Sequence, residues 1–164
     1  MHRFQPVQLR GYGSLSRLLT RLASQADIRN ILEIGGGGGG STNALIKGCS
    51  TTGAHIYTIE VSKERMESLQ RKVTYKNFHP VWACSALPFM TVEEVSEFYR
   101  NIKTNLNNYP LDTVIRWLKK DIDYVNDHAM PLEGIKDLRK KVRFDMAVLD
   151  GGAFNGTSDF AACY

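Results

Sequence analysis

Apolar and polar residues alternate in blocks along the chain, and the lengths of these blocks predict strands and helices in turn. Four short apolar runs have the length of buried strands: residues 31–34, 55–59, 80–84 and 144–149. Between them, apolar residues recur every three or four positions, as on one face of a helix. Strands that alternate with helices imply a parallel sheet with right-handed crossover connections. The pattern therefore predicts an α/β fold.

Capping residues mark where several of the predicted helices begin and end. Ser14 precedes the first helix and Ser62 the third, since a serine hydroxyl can accept a hydrogen bond from a free helical N–H group. The second helix, residues 42–47, is predicted to close at Gly48, because glycine favours the C-terminal end of a helix. The apolar face of the first helix consists of Leu15, Leu18, Leu19, Leu22 and Ala23.

The segment 91–142 departs from this rhythm and is predicted to be a mostly helical insertion. Thr91 and Glu94 have the spacing of a capping box. Residues 105–110 break that helix, and a second amphipathic helix follows at residues 114–125. This second helix would serve either as a lid or substrate wall, or as an inserted packing element, and its pattern favours neither.

The composition fits one soluble domain that covers residues 1–164. Of the 164 residues, 43% are hydrophobic and 23% are charged. The N-terminus lacks the apolar stretch of a secretory signal, and no segment approaches the roughly 18 apolar residues that would span a bilayer. These features predict a cytoplasmic protein without a membrane partner.

The cysteines and histidines are too scattered to suggest a structural site. Cys49, Cys84 and Cys163 contain no Cys-x-x-Cys pair and are odd in number. The four histidines have no spacing typical of metal ligands. We therefore predict neither a disulfide framework nor a structural metal.

The formal net charge is +4, and the densest basic patch covers residues 136–143. A run of this kind is usually a solvated helix end, where cations are favourable. No interleaved aromatic residues and no nucleic-acid motif accompany the patch. The pattern disfavours a nucleic-acid partner.

A run of six glycines, residues 35–40, separates the first predicted strand from the second helix. Because glycine loses the most backbone entropy on ordering, a folded domain keeps such a run where a tight turn and a close backbone approach are needed. A strand, a glycine turn and a helix together form a cradle for a phosphate or nucleoside. The turn lacks the lysine of a Walker loop. A dinucleotide fingerprint can be drawn on Gly35, Gly37 and Gly40, with Glu60 in place to bind a ribose.

Glu33 distinguishes the dinucleotide from a second cofactor. It lies two residues before the first glycine, at the expected mouth of the loop, where it would repel a pyrophosphate. A ligand that carries an ammonium and a sulfonium would instead be attracted. S-adenosylmethionine is such a ligand.

With these features the chain resembles the class I S-adenosylmethionine-dependent methyltransferases, whose first motif is an acid followed by spaced glycines. The resemblance implies a Rossmann-like fold of three layers, in which a parallel sheet lies between flanking helices. It also implies that S-adenosylmethionine is held by the residues that match the family's motifs: Glu33, Gly35, Gly37 and Gly39 in the loop, Glu60 on the ribose hydroxyls, and Ser85 and Ala86 beside the adenine ring.

The family commonly places an acid at the end of its fourth strand, near the methyl group, and Asp150 matches it. The resemblance therefore implies that Asp150 is the catalytic residue. For a hydroxyl acceptor it would be either the base or one ligand of a metal that lowers the pKa of the hydroxyl. The implied reaction is methyl transfer to a hydroxyl or amine of a small molecule or sugar.

Four strands can be identified, and the resemblance implies that they lie in the order 3-2-1-4. The family's sheet has seven strands, so we expect a sheet that is short at its C-terminal side. The fourth strand would then be an open apolar edge through which the protein could self-associate. Two other functions stay open. One is an NAD-type dinucleotide-binding oxidoreductase domain, and the other is a truncated, non-catalytic module that binds a cofactor or a partner.

Overall fold

The computed structural model describes residues 12–101, 109–127, 129–152 and 154–164. The strands in these residues are β1 (Asn30–Ile34), β2 (His55–Glu60), β3 (Phe78–Trp82) and β4 (Met146–Leu149). The helices are α1 (Tyr12–Ala23), α2 (Gly40–Thr52), α3 (Lys63–Lys72), α4 (Val92–Asn101), α5 (Leu111–Val125), α6 (Gly134–Arg139) and α7 (Gly156–Cys163). None of the helices within this described part combines the length and the apolar character that crossing a bilayer requires.

The four strands form one parallel sheet in the order β3-β2-β1-β4. In the register of the central strands, Ile31 lies between Ile56 and Met146. All four strands run in the same direction, so their carboxyl ends lie side by side at one end of the sheet. The predicted α/β fold with strand order 3-2-1-4 is confirmed, and it has the Rossmann-like arrangement of layers.

Helices cover both faces of the sheet, as a parallel sheet requires. On one face, α1 and α2 pack on β1 and β2 through a cluster that includes Leu19, Ala23, Ala44, Leu45, Cys49, Ile31 and Ile56. On the other face, α6 and α7 pack on the same strands through a cluster that includes Ile135, Ala162, Leu32, Ile34 and Ile59. Both clusters lie beside β1, which places the start of the glycine turn at the centre of the fold.

Local capping interactions agree with two of the predictions and contradict a third. The Ser62 hydroxyl accepts the Arg65 N–H at 3.4 Å at the start of α3. At the start of α4, the Glu94 N–H donates to the Thr91 hydroxyl and the Thr91 N–H donates to the Glu94 carboxylate, which is a capping box. The prediction that Ser14 caps α1 is wrong, because α1 begins at Tyr12. Residues 102–108, which contain most of the predicted helix break, lie outside the described residues.

Gly48 does not end the second helix, as its residue type had suggested. Helix α2 continues through it to Thr52, and Gly53 caps the helix at a φ of 74°. A side chain at position 48 would clash with the Thr20 carbonyl oxygen and lie 2.7 Å from the Ala23 Cβ. Glycine is therefore required at this point because α1 crosses α2 too closely for any side chain.

Strand β4 forms one edge of the sheet, and Leu149 on this strand is 40% exposed. Phe160 on the neighbouring helix α7 is 57% exposed. Self-association through this edge stays a prediction.

The basic patch around α6 is partly neutralised by its own surroundings. Lys136 pairs with Glu133, and Lys140 pairs with Asp137 at 2.7 Å. The Arg139 guanidinium donates to the Ala162 carbonyl oxygen at 2.7 Å, at the end of α7. Arg139 thus connects α6 with α7, and the two ion pairs leave the patch less basic than its sequence suggests.

Substitution of Gly48 by alanine should destabilise the fold, although alanine in the middle of an exposed helix normally stabilises it by about 1 kcal/mol. The expected loss in the free energy of unfolding is about 1–3 kcal/mol, because α1 must move away from α2. Urea denaturation measures this difference. Gly13→Ala is the matched control, since Gly13 also lies in a helix but a Cβ there would meet nothing within 4 Å. A Gly48→Ala protein as stable as Gly13→Ala would contradict the proposed helix contact.

Candidate functional site

A cleft opens at the carboxyl ends of the four strands, where parallel α/β sheets place their ligands. Its volume is about 200 Å³, which is small beside the roughly 300–1,000 Å³ of pockets that enclose a drug-sized ligand. The residues that line the cleft lie at the end of each strand or shortly after it, with one more on α5: Ile34, Gly35 and Gly37 for β1, Ile59, Glu60, Val61 and Arg65 for β2, Ala83, Cys84, Ser85 and Phe89 for β3, Asp150, Gly151, Gly152 and Asn155 for β4, and Asp121 on α5. All four strands thus contribute to one site.

The glycine turn has a backbone that only glycine adopts readily. Gly35, Gly37 and Gly39 have φ angles of 83°, 47° and 88°, in the left-handed region. Gly35 also lies against the end of β4, where a Cβ would clash with the Asp150 carbonyl oxygen and lie 2.7 Å from the Gly151 Cα. The alternating glycines therefore allow both the turn and its close approach to β4.

Glu60 is held firmly at the end of β2. Its Oε2 atom accepts the Gly37 N–H at 2.9 Å, and its Oε1 atom accepts the Ser62 N–H at 3.0 Å. The Arg65 guanidinium lies 3.9 Å from Oε1. The side chain is 3% exposed, so its two oxygens have a fixed position at the wall of the cleft.

Glu33 lies beneath the glycine turn and not at the mouth of the loop, where the sequence had suggested it would be. It is fully buried and does not line the cleft. Its Oε2 atom accepts hydrogen bonds from the Thr42 and Thr58 hydroxyls, at 2.8 and 2.6 Å. Its Oε1 atom has no hydrogen-bond partner among the described residues.

Burial raises the pKa of Glu33 above its usual 4.5, although the hydroxyls of Ser41, Thr58 and Thr42 oppose that shift. The charge of Asp150 raises the pKa a little further. A neutral Glu33 would not repel a pyrophosphate. The choice between cofactors therefore depends on the charges that line the cleft.

Ser85 lines the cleft, but its hydroxyl is engaged within the protein. It donates to Asp159 Oδ1 at 2.6 Å and accepts from the Asn155 side-chain amide at 3.0 Å. Both partners are buried at the start of α7. The hydroxyl proton that we expected beside an adenine ring is thus used to attach α7 to the segment after β3.

The other predicted residues are divided between the cleft and its surroundings. Asp150 lines the cleft, and desolvation there raises the pKa of its carboxyl group. Gly39 directly precedes α2 and Ala86 directly follows Ser85 in the chain, and neither of them lines the cleft. Cys84 does line it, but burial raises the pKa of its thiol to about 11, which keeps the thiol protonated near neutral pH.

Asp121 is a cleft residue that the sequence reasoning missed. It lies on α5, and a Cβ at Gly152 would lie 2.9 Å from its Oδ2 atom. The signal was present in the pattern, since Asp121 follows Val114 and Leu118 on the buried face of an amphipathic helix. A carboxylate on such a face is unusual and indicates a site.

No family model matches the chain, and no curated protein matches it significantly. The functional argument therefore depends on the geometry and charge of the cleft.

The stability of the protein should fall, relative to Glu33→Gln, as the pH rises from 4.5 through the higher pKa that Glu33 has in the folded state. Between these two pKa values the unfolded state has released the Glu33 proton, whereas the folded state still holds it because ionisation would leave a buried carboxylate. The limiting slope is about 1.4 kcal/mol per pH unit for one proton. Urea denaturation at a series of pH values measures it. Glu97→Gln, at an exposed position of α4, should keep the wild-type profile, and parallel profiles for wild type and Glu33→Gln would refute the assignment.

Proposed function

We propose that the cleft binds S-adenosylmethionine and that the protein transfers its methyl group to a hydroxyl or amine of a small molecule or sugar. The observation that carries the proposal is the Glu60 carboxylate, which two backbone N–H groups fix beside the glycine turn. Each of its oxygens keeps a further lone pair, so the carboxylate can accept two hydrogen bonds from the vicinal hydroxyls of a ribose. The backbone of Gly35 and Gly37 would lie against the rest of the cofactor.

The charges of the cleft support a sulfonium ligand over a pyrophosphate. Glu60, Asp121 and Asp150 line it, and Arg65 is the cationic residue that faces them. If the carboxylates are ionised, the wall carries an excess of two negative charges. Such an excess attracts a cationic ligand and repels the two negative charges of a pyrophosphate.

S-adenosylmethionine carries a methyl group on a sulfonium, so transfer forms a bond from the acceptor to the methyl carbon as the carbon–sulfur bond breaks and its electron pair passes to sulfur. Much of the rate acceleration in such a displacement comes from holding the reactants in line. Asp150, at the end of β4, would accept the proton that the acceptor loses. The raised pKa of its carboxyl group favours this role, because it brings the group nearer to the pH at which it must act as a base.

One observation favours the second candidate, an NAD-type dinucleotide. Helix α2 begins after Gly39, which has no side chain to cap it, so its first N–H groups, for which the described residues offer no capping side chain, can bind a phosphate. A non-catalytic module is the third candidate, and it predicts cofactor binding without methyl transfer.

Calorimetric titration of the protein with S-adenosylmethionine, S-adenosylhomocysteine and NAD tests these candidates. We expect the first two to bind and NAD not to bind. Binding of NAD alone would replace the proposal with the dinucleotide reading. If S-adenosylmethionine binds but no acceptor in a broad screen of alcohols, amines and sugars is methylated, the non-catalytic module becomes the function to pursue.

Glu60→Gln should weaken the binding of S-adenosylhomocysteine by about 1.5–3 kcal/mol. The amide has one acceptor oxygen in place of two and carries no negative charge, so it cannot accept both ribose hydroxyls as the carboxylate can. Calorimetry measures the loss, and thermal unfolding verifies that the variant is folded. Glu64→Gln, an exposed position in the first turn of α3, makes the same chemical change away from the cleft. Equal affinities of the two variants for S-adenosylhomocysteine would show that Glu60 does not bind the ribose.

A further inference from the structure

Asp121 differs from Glu60, the firmly held carboxylate of the cleft, in having no partner among the described residues. Glu60 accepts two backbone N–H groups and lies near Arg65. Among the described residues, nothing donates a hydrogen bond to the Asp121 side chain or forms an ion pair with it. It is half-buried, and burial is the main cause of the raised pKa of its carboxyl group. Charge from Glu60 raises that pKa further, whereas Arg65 and Lys120 lower it.

The position of Asp121 is fixed by the packing of α5. Val114 and Leu118 of this helix are buried against Val95 of α4 and against Phe154, which follows β4. This small core holds the next turn of α5 over the cleft, with Asp121 Oδ2 directly above Gly152. The Asp121 carboxylate therefore faces the β4 side of the cleft at Gly152, which follows Asp150 by two residues in the chain.

A ligand that enters this part of the cleft meets the carboxylates of Asp121 and Asp150, neither of which has a side-chain partner within the described part of the chain. A neutral hydroxyl would leave both charges uncompensated, and a carboxylate or phosphate ligand would be repelled by them. An ammonium group offers three N–H donors and a compensating charge. The chemistry of this wall thus matches a cation better than a neutral or anionic group.

We infer that the acceptor is a primary amine that enters the cleft as its ammonium ion, and that Asp121 binds this ion. The inference rests on the proposed methyl transfer and narrows its acceptor from a hydroxyl or amine to an amine. Before the nitrogen can attack a methyl carbon, the ammonium must give up one proton to free its lone pair. Asp150 is placed to take that proton, while Asp121 keeps its negative charge and its hold on the acceptor.

The test measures binding of matched probe pairs to protein saturated with S-adenosylhomocysteine. The pairs are glucosamine with glucose, 2-phenylethylamine with 2-phenylethanol, and putrescine with 1,4-butanediol, each an amine and an alcohol of the same skeleton. We expect at least one amine to bind about tenfold or more tightly than its alcohol, as a charge-assisted hydrogen bond requires. Asp121→Asn should abolish that preference. Asp123→Asn, an exposed position on the same helix that makes the same change of charge, should retain it.

The outcomes separate this inference from the proposed function. If the wild type fails to bind S-adenosylhomocysteine, the proposed function itself fails and the inference falls with it. If S-adenosylhomocysteine binds but no amine is preferred over its alcohol, or the preference survives in Asp121→Asn, the amine acceptor is wrong and the proposed function stands. If Asp121→Asn weakens the binding of S-adenosylhomocysteine itself while Asp123→Asn does not, Asp121 serves the cofactor, which also overturns the inference.

Discussion

The close contact between the turn after β1 and the residues after β4 is the constraint on which the rest of the site depends. The Gly35 N–H donates to the Ile59 carbonyl oxygen at 2.9 Å, and the Asp150 N–H donates to the Ile34 carbonyl oxygen at 3.0 Å. The ends of three strands are thus joined at the adjacent residues Ile34 and Gly35, and Gly35 has no room for a side chain. Two residues after this junction, the Gly37 N–H donates to the Glu60 carboxylate, and Asp150 at the junction lines the cleft.

Glu33 in β1 and Glu60 at the end of β2 show how different surroundings give one residue type different tasks. Glu60 has a backbone N–H group on each oxygen and stays at the wall of the cleft. Glu33 has two hydroxyls on one oxygen and none of the described groups on the other, so its charge is poorly compensated in the core. Glu33 therefore supports the turn from below, and Glu60 is the one that can meet a ligand.

Two opposing electrostatic effects act on any ligand in the cleft. The start of α2 carries the equivalent of about half a positive charge and favours an anion. Each carboxylate of the cleft, when ionised, carries a whole charge, and Arg65 balances one of them. Two uncompensated negative charges outweigh half a positive one at similar distances. This balance is the physical reason for preferring a cationic cofactor and a cationic acceptor to a dinucleotide.

The sequence by itself determined the strands, the glycine turn and the acid at the end of β2, because these depend on local periodicity and on residues adjacent in the chain. The order of the strands was implied only by the family resemblance, because strand order depends on contacts between distant segments. The caps at Ser62 and Thr91 were predictable for the same reason, since their hydrogen bonds span three residues. Only the tertiary structure decided which residues face the cleft. Position 48 requires glycine because α1 crosses there, and the Ser85 hydroxyl is engaged by an aspartate 74 residues away. Asp121 lies at the cleft because of the way α5 packs. Such contacts join segments that are remote in the chain, and their distances follow from the packing of the whole fold.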